Sequence, residues 1–305
     1  MTFSTEPLDA RLERGLPGAT VTLSMAWSYP VPPNTGAFRQ GQDGEVVFLG
    51  LPHASEFVVP AEACRPIASG LDAKDLTWTA LAQVAFVAAR NAAYQMEDTA
   101  LVVGAGPVGQ LSVRWARADG VTNIVEIDQM QRRLALAKRG GAKITLAGSV
   151  TNVAEITQAF GGAPPRVVID ATGHAGVFAG ALAVTAFRGR LVPVGDTGFP
   201  SDQHLSADLL PRGLTVIGTH VMHLPHVLGI TDQDPFTSEH FVSDMATASR
   251  RFDKIFQVLV ADGRFDLGGL ISHEFGPAQC VDAYHLAEAR RDETMGLLFD
   301  WSIHG

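Results

Sequence analysis

The sequence predicts an α/β protein: a doubly wound parallel sheet of six strands, with a smaller β domain built from the beginning and the end of the chain. Three observations predict it. Between about residues 100 and 218, six short apolar runs alternate with helical patterns. The first four runs are continuously apolar, as strands covered on both faces of a parallel sheet must be. The flanking segments are instead turn-rich and β-like, so they do not extend the alternation.

The chain has 305 residues, 46% hydrophobic and 18% charged, which is material for a buried core. Its net charge of −9 and the lack of any Lys/Arg cluster argue against nucleic acid and anionic membranes as partners. Two cysteines, Cys64 and Cys280, are too few for a disulfide framework and fit a reduced, cytoplasmic setting. The first fifteen residues mix acids and arginines without an apolar core, unlike a secretory signal. The apolar stretch Thr77–Tyr94 is interrupted by Gln83, Arg90 and Asn91, so it reads as a helix of a soluble protein and not as a membrane span.

In chain order, the first seventy residues carry β-like runs at Thr20–Leu23, Glu45–Phe48 and Glu56–Val59. Turn residues punctuate them, Tyr29–Gly36 and Gln40–Gly44 above all. A helix is expected from Leu76 to about Gln95. The six strands are expected at Ala100–Val103, Asn123–Ile127, Lys143–Leu146, Arg166–Ile169, Arg190–Val194 and Leu214–Gly218, with helices at Val108–Ala118, Met130–Arg139, Val153–Phe160 and Gly176–Phe187. Phe241, Met245, Phe252, Ile255, Phe256 and Leu259 recur at helical spacing, so a long helix is expected over Ser238–Asp262, ended by Gly263. A strand (Leu270–Phe275), a helix (Ala278–Arg290) and a strand (Met295–Asp300) close the chain. The expected organisation is a β domain over 1–96, the six-stranded domain over 97–235, and a long helix with a return segment over 236–305.

The chemistry lies in Gly104-Ala105-Gly106-Pro107-Val108-Gly109. A bare G-x-G-x-x-G says little, but this one directly follows an apolar strand and opens a helix, the context of a dinucleotide-binding corner. Gly104 would make the tight turn, Gly106 would let a pyrophosphate approach the backbone, and Gly109 would let helix and strand pack closely. The helix amino end offers N–H groups and a positive dipole to phosphates, and Pro107 suits its first turn. Asp128 stands at the end of the second strand, where a carboxylate can accept the adenosine ribose hydroxyls and repel a 2′-phosphate. NAD is therefore favoured over NADP. A plain strand–turn–helix with a solvated or capping Asp128 is the structural alternative. A methyltransferase shares the turn and the acid, but the six strands and a later strand ended by glycine argue against it.

The run from about Thr99 to Gly218 resembles the cofactor domain of the medium-chain dehydrogenase/reductase superfamily, the alcohol and polyol dehydrogenase group. Leu101–Gly120, Glu126–Lys143 and Val167–Gly198 carry the likeness. Phe256–Trp301 resembles the segment that returns to complete the catalytic, GroES-like domain, and Pro17–Leu23 and His53–Pro60 resemble late parts of that domain. The resemblance implies a Rossmann domain beside a reduced GroES-like β domain. It implies that Asp128 and Arg133 contact the adenosine end, that Ala171-Thr172-Gly173 line the cofactor cleft, and that Val194-Gly195-Asp196 lie near the nicotinamide. It also implies a homodimer through the sixth strands, for which Leu214-Thr215-Val216-Ile217 is apolar enough.

The chain departs from the family at its start. About 100 residues precede the cofactor domain where family members have about 150, and neither the catalytic-zinc cysteine with its Gly-His-Glu motif nor the four cysteines of a structural zinc lobe appears. A family-type zinc site is not expected. His220, His223 and His226 recur at intervals of three, but Pro225 interrupts any helix that would align them. A role at the cofactor mouth or a subunit contact fits them better than a metal. Without zinc, a group of suitable pKa must move the substrate proton. His53, Tyr29, His220 and His273 qualify by residue type, each with a plainer structural reading; His53 is the candidate retained. The expected function is a zinc-independent, NAD-linked oxidoreductase moving a hydride to or from a small alcohol or carbonyl compound. The alternatives are a catalytically inactive NAD-binding sensor or partner subunit, and a longer zinc enzyme whose reading frame begins upstream.

Overall fold

A computed structural model describes residues 20–24, 36–41, 44–49, 65–66, 68–195, 200–220 and 252–301. Two six-stranded sheets organise them. The strands are β1 (Thr20–Ser24), β2 (Gly36–Gly41), β3 (Gly44–Leu49), β4 (Arg65–Pro66), β5 (Thr99–Val103), β6 (Asn123–Asp128), β7 (Ile144–Ala147), β8 (Val167–Asp170), β9 (Arg190–Pro193), β10 (Thr215–Val216), β11 (Ile271–Phe275) and β12 (Gly296–Asp300). The helices are α1 (Ala73–Leu76), α2 (Thr79–Ala92), α3 (Pro107–Ala118), α4 (Gln131–Gly140), α5 (Val153–Ala159), α6 (Ala175–Val184), α7 over residues 252–261, and α8 (Cys280–Ala289).

The parallel sheet runs β10-β9-β8-β5-β6-β7, the doubly wound order expected from the alternation. All six expected strands are present, with ends shifted by one or two residues. Neighbouring strands β5 and β8 leave for opposite sides of the sheet, and Val103 is in register with both Ile127 and Asp170. Their carboxyl ends therefore open a crevice at the switch point, where such sheets bind ligands.

Strand alternation sorts the core into two layers. Ala100, Val102, Val167, Ile169 and Val192 face α2, α3 and α7, whereas Leu101, Val103, Val125, Val168 and Leu191 face α5 and α6. The first layer centres on Trp115, which is buried, donates from Nε1 to the Ala82 carbonyl at 2.9 Å, and meets Phe86 and Phe265 edge-on at centroid distances of 5.0 and 4.9 Å. Phe252 and Phe256 of α7 stack on each other beside it. This cluster fixes α3, and with it the glycine corner at its amino end.

The second sheet runs β11-β12-β1-β2-β3-β4. Antiparallel pairing of β1 with β12, Val21 opposite Asp300, brings the two ends of the chain together as expected. Strand β2 was not expected: its Gly36 and Gly41 read as punctuation, yet they bound a hairpin arm in which Gly41 pairs with Gly44. The helix expected over Leu76–Gln95 is α2, Thr79–Ala92, and the single turn α1 ends at Leu76 before it. Asp72 caps α1, Thr77 ends it by donating from Oγ1 to the Lys74 carbonyl, and Trp78 is wholly buried at the break. The left-handed Ala93 then closes α2. Of the long helix over Ser238–Asp262 only α7 lies among the described residues, as do none of the residues of the run Glu56–Val59.

Candidate cofactor cleft

Strand β5 ends at Val103, and Gly104 turns the chain with φ of +95°, a conformation that favours glycine. Its N–H donates to the Ile127 carbonyl at 2.9 Å. The next two glycines do different work. A methyl group on Gly109 would overlap the Gly104 carbonyl oxygen and stand 2.9 Å from its carbon and 3.1 Å from Glu126 Oε1. Gly109 is thus the close contact between helix and strand. A methyl group on Gly106 would meet only Arg133 Nη1, at 3.8 Å, so protein packing does not demand this glycine. The extended Gly106 caps α3, and the first intrahelical bond runs from Gln110 N to its carbonyl at 2.8 Å. The Val108 and Gly109 amides precede that bond and, with no N–H on Pro107, form the helix's donor end.

Asp128 is half-buried at the end of β6. Its Oδ2 accepts from Ala105 N and its Oδ1 from Met130 N, each at 2.7 Å. Both oxygens are pinned beside the glycine corner, and each keeps a further acceptor site. The side chain of Gln110, fully buried, ties the corner to α4 by donating from Nε2 to the carbonyls of Ala105 (3.0 Å) and Arg133 (2.8 Å). Arg133 reaches back over Gly106 and donates from Nη2 to the Arg291 carbonyl at 2.8 Å. Its Nε is buried without a partner, and burial pushes the guanidinium below its usual value, opposed by Asp128.

At the end of β8, Asp170 Oδ1 accepts from Thr172 N at 2.9 Å and from Thr172 Oγ1 at 2.7 Å. Burial pushes this carboxyl up, and the hydrogen bonds from the turn oppose it. Thr172 Oγ1 accepts in turn from His174 N. A methyl group on Gly104 would lie 2.6 Å from Thr172 Cγ2, and one on Gly195 2.7 Å from the Thr172 carbonyl carbon. The Val194 and Gly195 amides both donate to the Asp170 carbonyl. Three strand ends, those of β5, β8 and β9, are therefore locked around Ala171-Thr172-Gly173.

Of the expected site residues, the structure brings Gly104, Gly106, Pro107, Val108, Gly109, Asp128, Arg133, Ala171, Thr172, Gly173, Val194 and Gly195 to one edge of the parallel sheet. Asp196 lies outside the described residues, as do His53, Tyr29, His223, His226 and Cys64. His220 is exposed beyond β10. His273 belongs to β11 of the other sheet, with Nδ1 3.0 Å from Ser272 Oγ and its ring stacked on Phe275. Sequence reasoning passed over Glu126 and His174. His174 caps α6, its Nδ1 accepting from Gly176 N at 3.1 Å. Glu126 is wholly buried, neither oxygen has a protein partner, and burial pushes it well above the ordinary carboxylate value. Its charge between the apolar Val125 and Ile127 was the signal available.

The corner fits a dinucleotide: space above Gly106, a helix amino end, a pinned carboxylate one strand away, and a buried guanidinium donor without a partner. Among the described residues no three His, Cys, Asp or Glu side chains stand together as metal ligands, and Cys280 is exposed on α8. No described helix is long and apolar enough to cross a membrane.

Comparison with known proteins gives a consistent picture. Residues 107–230 match a family model described as zinc-binding dehydrogenase. An alcohol dehydrogenase of Cupriavidus necator is 28% identical over 243 residues, covering 78% of this chain and 60% of that protein. Among the solved structures that share the fold are the following two. Alcohol dehydrogenase TADH from Thermus sp. ATN1 superposes with a TM-score of 0.70 at 20% identity, covering 97% of this chain and 95% of its own. An Escherichia coli CFT073 alcohol dehydrogenase complexed with NADH gives 0.67 at 17%, covering 93% and 92%. The chain spans between 35 and 60% of the length of the first curated relatives it matches.

Proposed function

We propose that the chain, which resembles the alcohol dehydrogenase-like members of the medium-chain dehydrogenase/reductase superfamily, is an NAD-linked, zinc-independent oxidoreductase acting on a small alcohol or carbonyl compound. The observation that carries the reading is the convergence of β5, β6 and β8 around Gly106, where open space, amide donors and the pinned Asp128 carboxylate meet. A bound nicotinamide would take up or give the hydride. The protein's part is to bind and orient. The Val108 and Gly109 amides receive a pyrophosphate, Asp128 accepts a ribose hydroxyl with the acceptor sites its amide bonds leave open, and the turn Ala171–Gly173 lines the cleft toward Val194-Gly195-Asp196. A 2′-phosphate would meet the Asp128 charge, which supports NAD over NADP. His53 is retained as the proton-transfer candidate.

Zinc independence is supported by the sequence, which holds only Cys64 and Cys280 and no Gly-His-Glu motif. A homodimer through β10 is supported by its place at the sheet edge and by Phe187, Leu205 and Leu210, each exposed nearby. The test is calorimetric titration with NADH together with turnover on a panel of alcohols, aldehydes and ketones. Binding with turnover supports the enzyme; binding without any turnover supports a sensor or partner subunit; no binding removes both.

A further inference from the structure

Gln110 and Arg114 follow each other by one turn of α3, and neither touches solvent. They stand behind the glycine corner, where α3 meets α4 and the segment after α7. The contacts begin at Ala105. Its N–H donates to Asp128 Oδ2 and its carbonyl accepts from Gln110 Nε2 at 3.0 Å, so this one residue is held from both sides. The same Nε2 donates to the Arg133 carbonyl at 2.8 Å. Gln110 Oε1 accepts from Arg114 Nη1 at 3.1 Å, and Nη1 also donates to the Gln110 carbonyl at 2.8 Å. Arg114 Nε donates to the Asp266 carbonyl, which anchors the guanidinium on the segment between α7 and β11.

A side-chain amide can be turned end for end, exchanging donor for acceptor. The guanidinium prevents it here. Arginine has donors and no acceptor, so Gln110 must show it oxygen, and the amide nitrogen is left for the two carbonyls. Burial pushes the guanidinium down to about 10, so at neutral pH it is still charged and still only a donor. Room is kept for it as well: a methyl group on Gly140, in the last turn of α4, would lie 2.7 Å from Arg114 Cζ. With the amide reversed, oxygen would face oxygen and the Ala105 carbonyl would lose its donor, a costly arrangement away from water.

We propose that Arg114 is a positioning residue for cofactor choice: by fixing which way the Gln110 amide faces, it fixes Ala105 and, through Ala105, the Asp128 carboxylate that takes a ribose hydroxyl. This rests on the dinucleotide reading of the corner. Arg114 acts only through Gln110. NADH uses the bond between that carboxylate and the hydroxyl, and a 2′-phosphate takes it from NADPH. The amides at the start of α3 serve both ligands. A loosened Ala105 therefore weakens NADH more than NADPH, whereas a general loss of packing weakens the two alike.

The test is calorimetric titration with NADH and with NADPH of the full chain and its Arg114→Met, Gly140→Ala and Arg114→Lys variants, with thermal melting to establish that each is folded. In Arg114→Met the preference for NADH should shrink about fivefold or more, the order of one weakened charge-assisted hydrogen bond. Loss of a positive charge would by itself disfavour NADPH, the more negative ligand, and enlarge the preference, so the expected change has the opposite sign. Gly140→Ala displaces the guanidinium, alters no charge and should shrink the preference too; either variant decides where the other does not fold. Lysine keeps the charge and a donor for Gln110 Oε1, so Arg114→Lys should stay within about twofold of the unaltered protein. An unchanged or enlarged preference in folded Arg114→Met or Gly140→Ala would overturn the proposal, and so would a lysine variant as altered as the methionine one. An unaltered protein that binds neither dinucleotide would overturn the reading of the corner instead, and one that binds both equally would take Asp128 out of the ribose role.

Discussion

Adding one methyl group at Gly106 and, separately, at Gly109 divides the work of the glycine corner between ligand and fold. At Gly109 the new carbon overlaps the Gly104 carbonyl oxygen and stands 2.9 Å from the carbonyl carbon. Both atoms are backbone, so α3 must move away from β5. Overpacking of this kind costs about 1–3 kcal/mol, and the roughly 1 kcal/mol that alanine gains over glycine within a helix offsets only part of it. At Gly106 the backbone is extended, with φ of −68° and ψ of −176°, and the nearest atom is 3.8 Å away at the end of a flexible arginine. Gly106→Ala should therefore melt within about 0.5–1 kcal/mol of the unaltered protein, the small loss being that of glycine as a helix cap. The methyl group does fill the space a pyrophosphate would use, so NADH affinity should fall about tenfold or more. Thermal melting and NADH fluorescence titration of the two variants give both readouts. Gly106→Ala binding NADH as tightly as the unaltered protein, or melting below Gly109→Ala, would refute the division.

Glu126 carries a pH dependence of stability. Its folded pKa is raised because burial penalises the charge and Asp128 adds repulsion, with Arg114 opposing. Above the unfolded value, about 4.3, the folded chain holds the extra proton, so stability falls as pH rises toward the folded pKa, by at most about 1.4 kcal/mol per unit. Glu126→Gln should remove that fall and be the more stable chain at pH 9; parallel urea-denaturation profiles from pH 5 to 9 would contradict this. Asp128→Ala should narrow the preference for NADH over NADPH in competitive titrations, and an unchanged ratio would take Asp128 out of the ribose role. Trp115→Ala should lose about 3–5 kcal/mol in chemical denaturation, because it empties the centre of the aromatic cluster; a loss under 1 kcal/mol would show that the cluster does not anchor α3. Purified protein should hold less than about a tenth of a zinc per chain by mass spectrometry, as a chain short of cysteine ligands implies, and stoichiometric zinc lost together with turnover on chelation would overturn zinc independence.

The parallel sheet was legible because its signal is local. Continuous apolar runs and a glycine turn opening a helix are properties of ten-residue windows, so β5, α3 and β6 appear where their residues predict them. The β2–β3 hairpin was harder to read. Gly36 and Gly41 look like breakers, and only cross-strand pairing, which is not local, makes them strand ends. The break at Trp78 was hidden for a similar reason, since apolar periodicity continues through it while a buried indole and the Thr77 cap interrupt the helix. At the site, the sequence could show that Asp128 ends a strand beside glycines. It could not show that its two oxygens are held by Ala105 and Met130 amides, nor that Arg133 bends back over Gly106 toward a carbonyl 158 residues further on. Such facts depend on side-chain direction across elements, which spacing does not encode.

A crystal structure of the chain soaked with NADH tests directly whether a dinucleotide settles on the amino end of α3 with its ribose at Asp128. Phosphate density should stand within hydrogen-bond reach of the Val108 and Gly109 amides, with a ribose hydroxyl on the Asp128 carboxylate. NADH bound elsewhere, with this corner holding only solvent, would contradict it.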